Sequence, residues 1–561
     1  MQYNINAVSP RLEELKLYIY QNKIDILLLN EIKLDQNNSN FFLNIEGFTT
    51  YDKPRTSHGG GVAILIKKEI DHFQIHDFDH LNLEILSIKI STKKGDLLIL
   101  TYYNPKEISN SFFSHLSSIN TPFILGGDLN ACSNIFGCTY NNKSGAILAQ
   151  ALTDYNFVLL NNKTPTRLNN ILDLFICSPD ISSGVGDLTV DDTCGLDSDH
   201  HPVIINYYTD IKLTEELAHP SLNFHRADWE RFKNLLSGCQ VDFGSGCDTQ
   251  LLNNQITSLI LNAAKESIPY TTKKQFKYSL PQNIINLIKL KRKNRRKYQQ
   301  SRHCQIINET FNDEYKRLTT QIRKEIKLHR NSKWEEFLKS LGPNPTSSKP
   351  FWQRINKFRT KGQSKIPTLL LNQTQITTDF GKSTVFCDSL AQTFCLDQTA
   401  AFDTLNEEEV NRFLLQKNTN TSNIFPEFTL KEIKCALTKL KKNTAKGFDG
   451  IHNQFLKNLP TPFIQIILQF FNKCMKDKQM PLNWKTARIT MIPKKDQNKT
   501  NPNNYRPISV TSCLGKLYER LVAQRLYSFL KSRNLLSVCQ SGFRAHRCTL
   551  ENIMFFTQKT T

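Results

Sequence analysis

The chain has 561 residues, of which 39% are hydrophobic and 10% aromatic. Such a sequence is globular rather than disordered, and it is too long for a single hydrophobic core. It contains no apolar run of about 18 residues and no signal-peptide core after Met1, so we expect neither a membrane partner nor secretion. The 14 cysteines are scattered without Cys-x-x-Cys spacing, which predicts reduced thiols and no disulfides.

The charge is divided unevenly along the chain. Residues 1–210 contain 15 Lys or Arg and 24 Asp or Glu, a net charge of −9, and the total of +21 leaves +30 on residues 211–561. Solubility alone does not require so large a charge. An acidic segment followed by a strongly basic one indicates a metal-holding module joined to one that binds a polyanion, so we expect a nucleic-acid partner.

The first 210 residues alternate short β-rich runs with helical patterns. SPRLEELKLYIYQNK predicts a helix capped by Ser9 with Pro10 in its first turn, and SGAILAQALTDYN predicts a second helix. Many strands with few helices predict two packed sheets flanked by helices. The predicted strands lie in IDILLLNE, GGGVAILIK, LEILSIKI, DLLILTYYNP, PFILGGDLN, ILDLFICS and HPVIINYY.

The middle of the chain has helical periodicity and little strand signal. Residues 273–302 contain eleven Lys or Arg and no acid. This composition predicts a basic, mainly helical connector over residues 210–425 that binds nucleic acid without sequence preference, although KLKRKNRRK is equally typical of a nuclear-import signal. The predicted nucleic-acid-binding cations of the connector are Lys291, Arg292, Lys293, Arg295 and Arg296.

Polar residues follow the predicted strands of the first 210 residues at the points where site residues gather in such folds. Each has an ordinary explanation on its own, such as a turn or a solvated acid. Asp173 is different, because burying an unpaired carboxylate inside NILDLFI is expensive, and a histidine would be a suitable partner. The full set is Asn4, Asn6, Glu31, Tyr103, Asp128, Asn130, Asp173, Asp199 and His200.

Six short stretches follow one another across nearly all of residues 1–208: YNIN, LLNE, YYNP, GGDLNA, LDLF and SDHHP. In this order they resemble the endonuclease/exonuclease/phosphatase family. The resemblance implies an α/β (α+β) fold for residues 1–209, a four-layered sandwich of two sheets flanked by helices. It also implies hydrolysis of a phosphoester bond with a divalent cation.

The resemblance implies a metal site around Glu31. This residue would be the principal ligand, with Asn6 and Asp199 nearby, and Asn4 would belong to the catalytic set. Hard oxygen ligands without Cys/His clusters favour Mg²⁺, with Mn²⁺ possible in its place.

The remaining matched residues would act on the phosphate. By the resemblance, Asp128 orients or deprotonates the attacking water and Asn130 holds a phosphate oxygen. His200, oriented by Asp173, binds the phosphoryl group as imidazolium, and Tyr103 lies on the leaving side. In-line hydrolysis needs such a positioned nucleophile and such charge on the developing oxyanion.

The last part of the chain carries a second resemblance. FTLKEIKCALTKLKKNTAKGFDGI, MPLNWKTARITMIPKKD, NNYRPISVTSCLGKLYERLVAQRL and QSGFRAHRCTLENI resemble the fingers of non-LTR (LINE, jockey-like) retrotransposon reverse transcriptases. This implies a partial α+β domain over residues 426–561, in which Lys494, Arg506 and Arg544 contact template-primer or nucleotide. The sequence reaches Thr561 before the family's palm acids, so we expect no polymerase activity from this chain.

Together the two resemblances imply a LINE-type endonuclease that nicks target DNA to prime reverse transcription. The implied partners are duplex DNA and element RNA or template-primer, and the implied location is the nucleus. An inactive nucleic-acid-binding remnant is one alternative, if the short first strand leaves the domain unfolded. A repair-type abasic-site endonuclease is another. A lipid or inositol phosphatase is a third, which the basic downstream half disfavours.

Overall fold

The computed structural model describes two compact units, residues 1–217 with 274–384 and residues 218–273 with 385–561. The predicted connector therefore contributes to both units. The boundaries of the three predicted domains, residues 1–209, 210–425 and 426–561, stay predictions. The description covers the whole chain except residues 37, 212–221, 245–247, 272–277, 279, 301–304, 360–365, 373, 377, 395–403, 418–425, 443, 496, 538–539, 543, 545–546 and 561.

Sixteen strands are present in the described residues. In chain order they are β1 (Gln2–Asn4), β2 (Ile26–Asn30), β3 (Phe48–Lys53), β4 (Val62–Lys67), β5 (His72–Ile75), β6 (Glu84–Thr92), β7 (Gly95–Tyr103), β8 (Phe123–Asp128), β9 (Val158–Leu159), β10 (Asp173–Cys177), β11 (Thr189–Val190), β12 (Val203–Ile204), β13 (Leu369–Leu371), β14 (Thr374–Ile376), β15 (Arg488–Pro493) and β16 (Tyr505–Val510).

The described residues also form eighteen α-helices. They are α1 (Leu12–Gln21), α2 (Ser39–Phe42), α3 (Asn110–Ser118), α4 (Lys143–Asp154), α5 (Pro179–Ser182), α6 (Trp229–Ser237), α7 (Thr249–Ser267), α8 (Gln282–Gln300), α9 (Gln305–Ser340), α10 (Lys349–Arg359), α11 (Asp379–Phe394), α12 (Thr404–Lys417), α13 (Leu430–Thr438), α14 (Asn453–Lys457), α15 (Thr461–Lys476), α16 (Leu482–Lys485), α17 (Cys513–Ser532) and α18 (Thr549–Thr560).

The first unit contains two six-stranded sheets, ordered β11-β12-β1-β2-β4-β3 and β5-β6-β7-β8-β10-β9. Strand β1 pairs in parallel with β2 and antiparallel with β12, so the short first strand lies inside its sheet. Strand β7 pairs in parallel with β8, and β8 pairs antiparallel with β10. Both sheets are therefore mixed.

The two sheets and the helices form four layers, which confirms the predicted fold class. Side chains from β2 and β4 of one sheet and from β6, β7, β8 and β10 of the other share one buried cluster. Helix α1 packs on the outer face of the first sheet, and α3 and α4 pack on the outer face of the second. The alternating apolar runs supply both faces of each sheet, because neighbouring residues of a strand point in opposite directions.

The helix predicted from SPRLEELKLYIYQNK begins differently from the prediction. Ser9 does not cap it: Ser9, Pro10 and Arg11 form a 3-10 turn whose preceding residue is Val8, with no side-chain cap, and α1 follows. Proline fits the first turn because an amide hydrogen at that position would have no acceptor within the helix, so its absence costs nothing. The second predicted helix is α4, and there the side chain of Asn142 accepts the Gly145 amide.

The second unit is mainly helical with one two-stranded sheet, β15-β16. Its core is an aromatic cluster that includes Phe232, Phe455, Phe470, Phe471 and Trp484, contributed by helices from both of its chain segments. Across the described residues, none of the helices combines the length and the apolar character needed to cross a membrane.

The two glycines of GGDLNA occupy positions with no space for a side chain. A Cβ at Gly126 would lie 2.6 Å from Phe175 and 2.7 Å from Leu28, in the layer between the sheets. A Cβ at Gly127 would lie 1.9 Å from the carbonyl oxygen of Tyr102 on β7. The glycines therefore allow β8 to lie close to β7 and to the facing sheet.

We expect Gly127→Ala to lower the free energy of unfolding by about 1–3 kcal/mol or more, since the added methyl group overlaps backbone that cannot move aside. The measurement is urea denaturation followed by circular dichroism. Gly238→Ala is the control, because a Cβ there meets nothing within 4 Å and the φ of −92° is ordinary. Equal midpoints for the two variants would contradict this explanation of the Gly-Gly pair.

Candidate active site

A buried histidine lies between two buried carboxylates where three chain segments meet. His200 Nδ1 is 2.7 Å from Asp173 Oδ2, and His200 Nε2 is 3.8 Å from Asp128 Oδ2. All three residues are at most 2% exposed. Asp128 ends β8 and Asp173 begins β10, and the two are direct register partners. The strand pairing therefore places both acids beside the histidine that precedes β12.

The charges of this group are coupled. Burial alone would lower the pKa of His200, but Asp173, Asp128 and Asp199 outweigh it and raise the pKa to about 9. Burial and the charge of Asp173 raise the pKa of Asp128, and they outweigh His200 and Asn4, which lower it. At neutral pH the histidine is therefore an imidazolium, and Asp128 accepts a proton more readily than an exposed carboxylate does.

Two polar strand residues that the sequence analysis did not select hold the group in place. Gln2 Nε2 donates to Asp173 Oδ1 at 2.8 Å and to Asn30 Oδ1 at 2.9 Å. Asn30 Oδ1 also accepts the Asp128 amide at 3.0 Å. Both side chains are fully buried. Asn30 had a signal in the sequence, as the polar end of the apolar strand ILLLN, whereas Gln2 lies in the mostly polar strand QYN and had none.

Asn4 joins the buried acids to the predicted metal site. Its Nδ2 donates to Asp128 Oδ2 at 2.8 Å and to Glu31 Oε1 at 3.0 Å. Tyr103 also donates to Glu31 Oε1, at 3.1 Å. Burial opposes ionisation of Glu31, but the hydrogen bonds from Asn4, Lys33 and Tyr103 outweigh it and lower the pKa of the carboxyl. Glu31 is thus a charged oxygen donor beside Asp128.

The other two predicted metal ligands meet on the exposed side of the site. Asn6 Nδ2 lies 3.3 Å from Asp199 Oδ1, and Arg167 Nη2 forms an ion pair of 2.7 Å with Asp199 Oδ2. Burial opposes ionisation here too, but His200 and Arg167 lower the pKa of Asp199. Asn6 and Asp199 are therefore brought together, with Arg167 as a neighbour that the sequence analysis did not select.

These side chains have the chemistry that a hard divalent cation requires. The ammonium of Lys33 lies 3.1 Å from Glu31 Oε2 and donates to Asn6 Oδ1, so a positive charge already sits between two of the predicted ligands. Carboxylate and amide oxygens suit Mg²⁺ and Mn²⁺. The ligand atoms of Asp128, Asp173 and His200 lie within 4.8 Å of one another, but these residues are paired among themselves and form a group separate from the oxygen donors Glu31, Asn6 and Asp199. The donor set therefore fits a divalent cation.

Asn130 lies at the rim of the same site. Its amide donates to Asp128 Oδ1 at 3.2 Å, its side chain donates to the Asn104 carbonyl oxygen at 2.7 Å, and its φ is +48°. Asparagine tolerates this left-handed backbone better than most residues. The turn after β8 thereby fixes Asp128 and Asn130 together.

The connector cations do not lie on one surface. Lys291 is fully buried, with its Nζ 2.6 Å from Glu14 Oε2 and 3.3 Å from Asp197 Oδ1. Arg295 donates to the Ser198 carbonyl oxygen at 2.7 Å, and Arg292 packs against Gly195. This corrects the prediction for Lys291, because a buried ion pair leaves no charge for a phosphate. Arg292 and Arg295 are half-buried, and Lys293 and Arg296 are exposed.

The predicted cations of the second unit are described separately. Arg506 is exposed on β16, opposite Ile492 of β15. Lys494 Nζ donates to the Asn503 carbonyl oxygen at 2.9 Å, and Arg544 donates to the Ser537 carbonyl oxygen at 2.8 Å. Of the three, Arg506 has the most freedom to meet an anionic ligand.

Comparison with curated proteins finds relatives along almost the whole chain. A probable RNA-directed DNA polymerase from transposon X-element of Drosophila melanogaster is 26% identical, with 98% of this chain and 61% of the relative covered. The corresponding values for a polymerase from transposon BS of the same species are 26%, 99% and 62%. The RNA-directed DNA polymerase from mobile element jockey of Drosophila melanogaster is 24% identical, with 98% of this chain and 60% of the relative covered. The chain thus spans about three fifths of these relatives.

Two solved structures each resemble somewhat more than a third of the chain. The endonuclease domain of TRAS1, a telomere-specific non-LTR retrotransposon, is 20% identical with a TM-score of 0.32, and the match covers 37% of this chain and 96% of that domain. The AP endonuclease of Leishmania major is 17% identical with a TM-score of 0.32, and the match covers 37% of this chain and 86% of that protein.

The family model described as Endonuclease/Exonuclease/phosphatase family matches residues 1–200. This range contains every residue predicted for the phosphate and metal sites. The match and the transposon relatives confirm both resemblances found in the sequence. Residues 1–200 thus match the endonuclease/exonuclease/phosphatase family model, in a chain similar over almost its whole length to the polymerases of the transposon X-element and of the mobile element jockey.

Proposed function

We propose that residues 1–209 hydrolyse phosphodiester bonds of duplex DNA as the endonuclease of a LINE-type element, and that the nick primes reverse transcription. The observation that carries the proposal is the buried His200 between Asp173 and Asp128, next to Glu31. The family match supports phosphoester hydrolysis, and the names of the transposon relatives support a nucleic-acid substrate.

The side chains divide the work of in-line hydrolysis. Asp128, whose pKa burial raises, orients a water molecule and accepts its proton. His200, held by Asp173 on its other nitrogen, presents an N–H with positive charge to a phosphate oxygen. Asn130 donates to a second phosphate oxygen. Tyr103, whose hydroxyl donates to Glu31 Oε1, would approach the leaving oxygen.

A divalent cation, Mg²⁺ or Mn²⁺, belongs to the proposed reaction. Glu31, Asn6 and Asp199 would hold it, and it would supply positive charge to the phosphate as bonds to phosphorus change. Glu31 pairs with Lys33 and Asp199 pairs with Arg167. On metal binding, each carboxylate would exchange its cationic side chain for the divalent cation. The carboxylates then remain neutralised in either state.

The rest of the chain directs the nuclease to nucleic acid. Residues 211–561 carry +30, and Lys293 and Arg296 are exposed on α8. Long-range attraction by such a charge raises encounter rates with duplex DNA and suits retention of element RNA. Residues 426–561 act as reverse transcriptase fingers, with Arg506 the foremost contact to template-primer. The proposed location of the protein is the nucleus, where the target DNA is.

Replacing Asp128 or His200 by alanine should slow plasmid nicking by about 10²-fold or more, as loss of a general base or of a charge donor usually does. The experiment is relaxation of supercoiled plasmid by the full chain across a Mg²⁺ titration. Glu31→Gln should also raise the Mg²⁺ concentration needed for half-maximal rate. Asp154→Ala is the matched control, because Asp154 is exposed at the far end of α4.

Equal rates for wild type and Asp128→Ala would overturn the assignment of the base. A folded wild type that does not nick would favour the inactive remnant. A nicking rate far greater on a duplex with an abasic site than on an intact duplex would favour the repair-type enzyme.

The second prediction concerns pH. Because the pKa of His200 is raised to about 9, the imidazolium is present below that pH and is lost as pH rises through it. Asp173→Asn removes the charge that raises this pKa, so the alkaline limit of nicking should move to lower pH while shape is preserved. The measurement is the pH profile of kcat for wild type and variant. Coincident alkaline limits would contradict the role of Asp173.

A further inference from the structure

The loop that carries Asp199 and His200 is held from outside by the helix pair α8 and α9. Asp197 is nearly buried, and two cations from these helices lie on its carboxylate: Lys291 Nζ at 3.3 Å from Oδ1 and Arg323 Nη2 at 3.5 Å from Oδ2. The hydroxyl of Tyr315 on α9 donates to the same carboxylate. These partners come from beyond residue 200, where the family match ends.

The helix pair is seated on the nuclease domain by apolar contacts as well. Leu17 of α1 shares a buried cluster with Leu280, Ile284, Ile288 and Ile322. Lys291 completes this contact by its short ion pair with Glu14 of α1. A lysine that is fully buried against two carboxylates fixes position strongly, since removing one partner leaves an uncompensated buried charge. The helix pair is therefore an integral part of the first unit.

The backbone between Asp197 and His200 connects these contacts to the site. Arg295 of α8 donates to the Ser198 carbonyl oxygen at 2.7 Å. The Ser198 hydroxyl donates to the Asn4 carbonyl oxygen at 2.7 Å and accepts the His200 amide at 3.2 Å. Only one residue separates Asp197 from Asp199. A shift of the loop at Asp197 or Ser198 therefore moves Asn4, Asp199 and His200 together.

Residues 194–199 of the loop belong to none of the strands, and backbone pairing resumes at His200, which forms an isolated bridge with Arg167. Gly195 and Asp197 both have left-handed φ values, +66° and +52°, and the second is uncommon for a residue with a side chain. Arg11 donates to the Asp197 carbonyl oxygen at 2.8 Å, and the two cations paired with the carboxylate come from the helix pair. Contacts from α8 and α9 thus compensate the strain of this backbone.

We propose that Lys291, Arg295 and Tyr315 are positioning residues of the nuclease, and that their contacts set its turnover rather than its affinity for DNA. This inference rests on the proposed function, because it concerns the same site. Nuclease and basic helices are then one catalytic unit, in which cations of the connector act on an acidic loop of the enzyme.

The experiment uses the full chain and three variants. Lys291→Met removes the buried charge, and Tyr315→Phe removes only a hydroxyl that touches Asp197. Lys324→Met is the control, since Lys324 is exposed on α9 beside Arg323. The readouts are kcat and KM for nicking a duplex oligonucleotide, and amide hydrogen exchange of residues 194–200 without DNA or metal.

Lys291→Met should lower kcat about tenfold or more, with KM within about twofold, because small displacements of catalytic groups slow chemistry more than they weaken binding. Exchange at residues 194–200 should become faster. Tyr315→Phe should change both readouts in the same direction by less, and the control should keep the wild-type kcat and exchange. Should Lys291→Met fail to fold, Tyr315→Phe decides.

Unchanged kcat and exchange in both variants of an active wild type would overturn the inference. A rise in KM with kcat unchanged would also overturn it, since that result assigns the side chains to DNA binding. If the wild type does not nick, the proposed function fails, while the exchange comparison still decides whether the helices hold the loop.

Discussion

The site depends on neutralising charge inside the protein. Asp128, Asp173 and His200 are buried together, and none of these charges could be buried alone without a large desolvation cost. These charges can neutralise one another only if the end of β8, the start of β10 and the turn before β12 bring their side chains into direct contact. The register of β8 with β10, the close approach of β8 to β7 that Gly127 allows, and the buried amide of Gln2 all serve this meeting.

The same principle extends outward from the buried group. Lys33 pairs with Glu31 and Arg167 pairs with Asp199, so each predicted metal ligand that carries charge already has a cationic partner. Farther out, Lys291 and Arg323 pair with Asp197. Three acids of residues 1–210, whose net charge is −9, are therefore paired with cationic side chains, two of which come from the basic helices. In this way the uneven charge along the sequence becomes a set of local contacts in the structure.

The sequence predicted the layers of the nuclease domain and the residues that meet at its site, because strand ends are marked by short apolar runs followed by polar residues. It did not predict Gln2 or Asn30, whose importance depends on which face of a strand meets the second sheet. It assigned Lys291 to nucleic acid, because a basic helix looks alike whether its charges face solvent or the acids of another helix. Lys291 and Glu14 are 277 residues apart, and no local pattern connects them.

The chemistry of the nick tests the central claim most directly. If Asp128 directs water at phosphorus and the leaving oxygen belongs to the 3′ carbon of the upstream nucleotide, each nick made by the full chain with Mg²⁺ carries a 3′-hydroxyl. A DNA polymerase with labelled nucleotides should then extend nicked plasmid at once, without a phosphatase treatment. Nicks that become extendable only after removal of a 3′-phosphate would contradict the account.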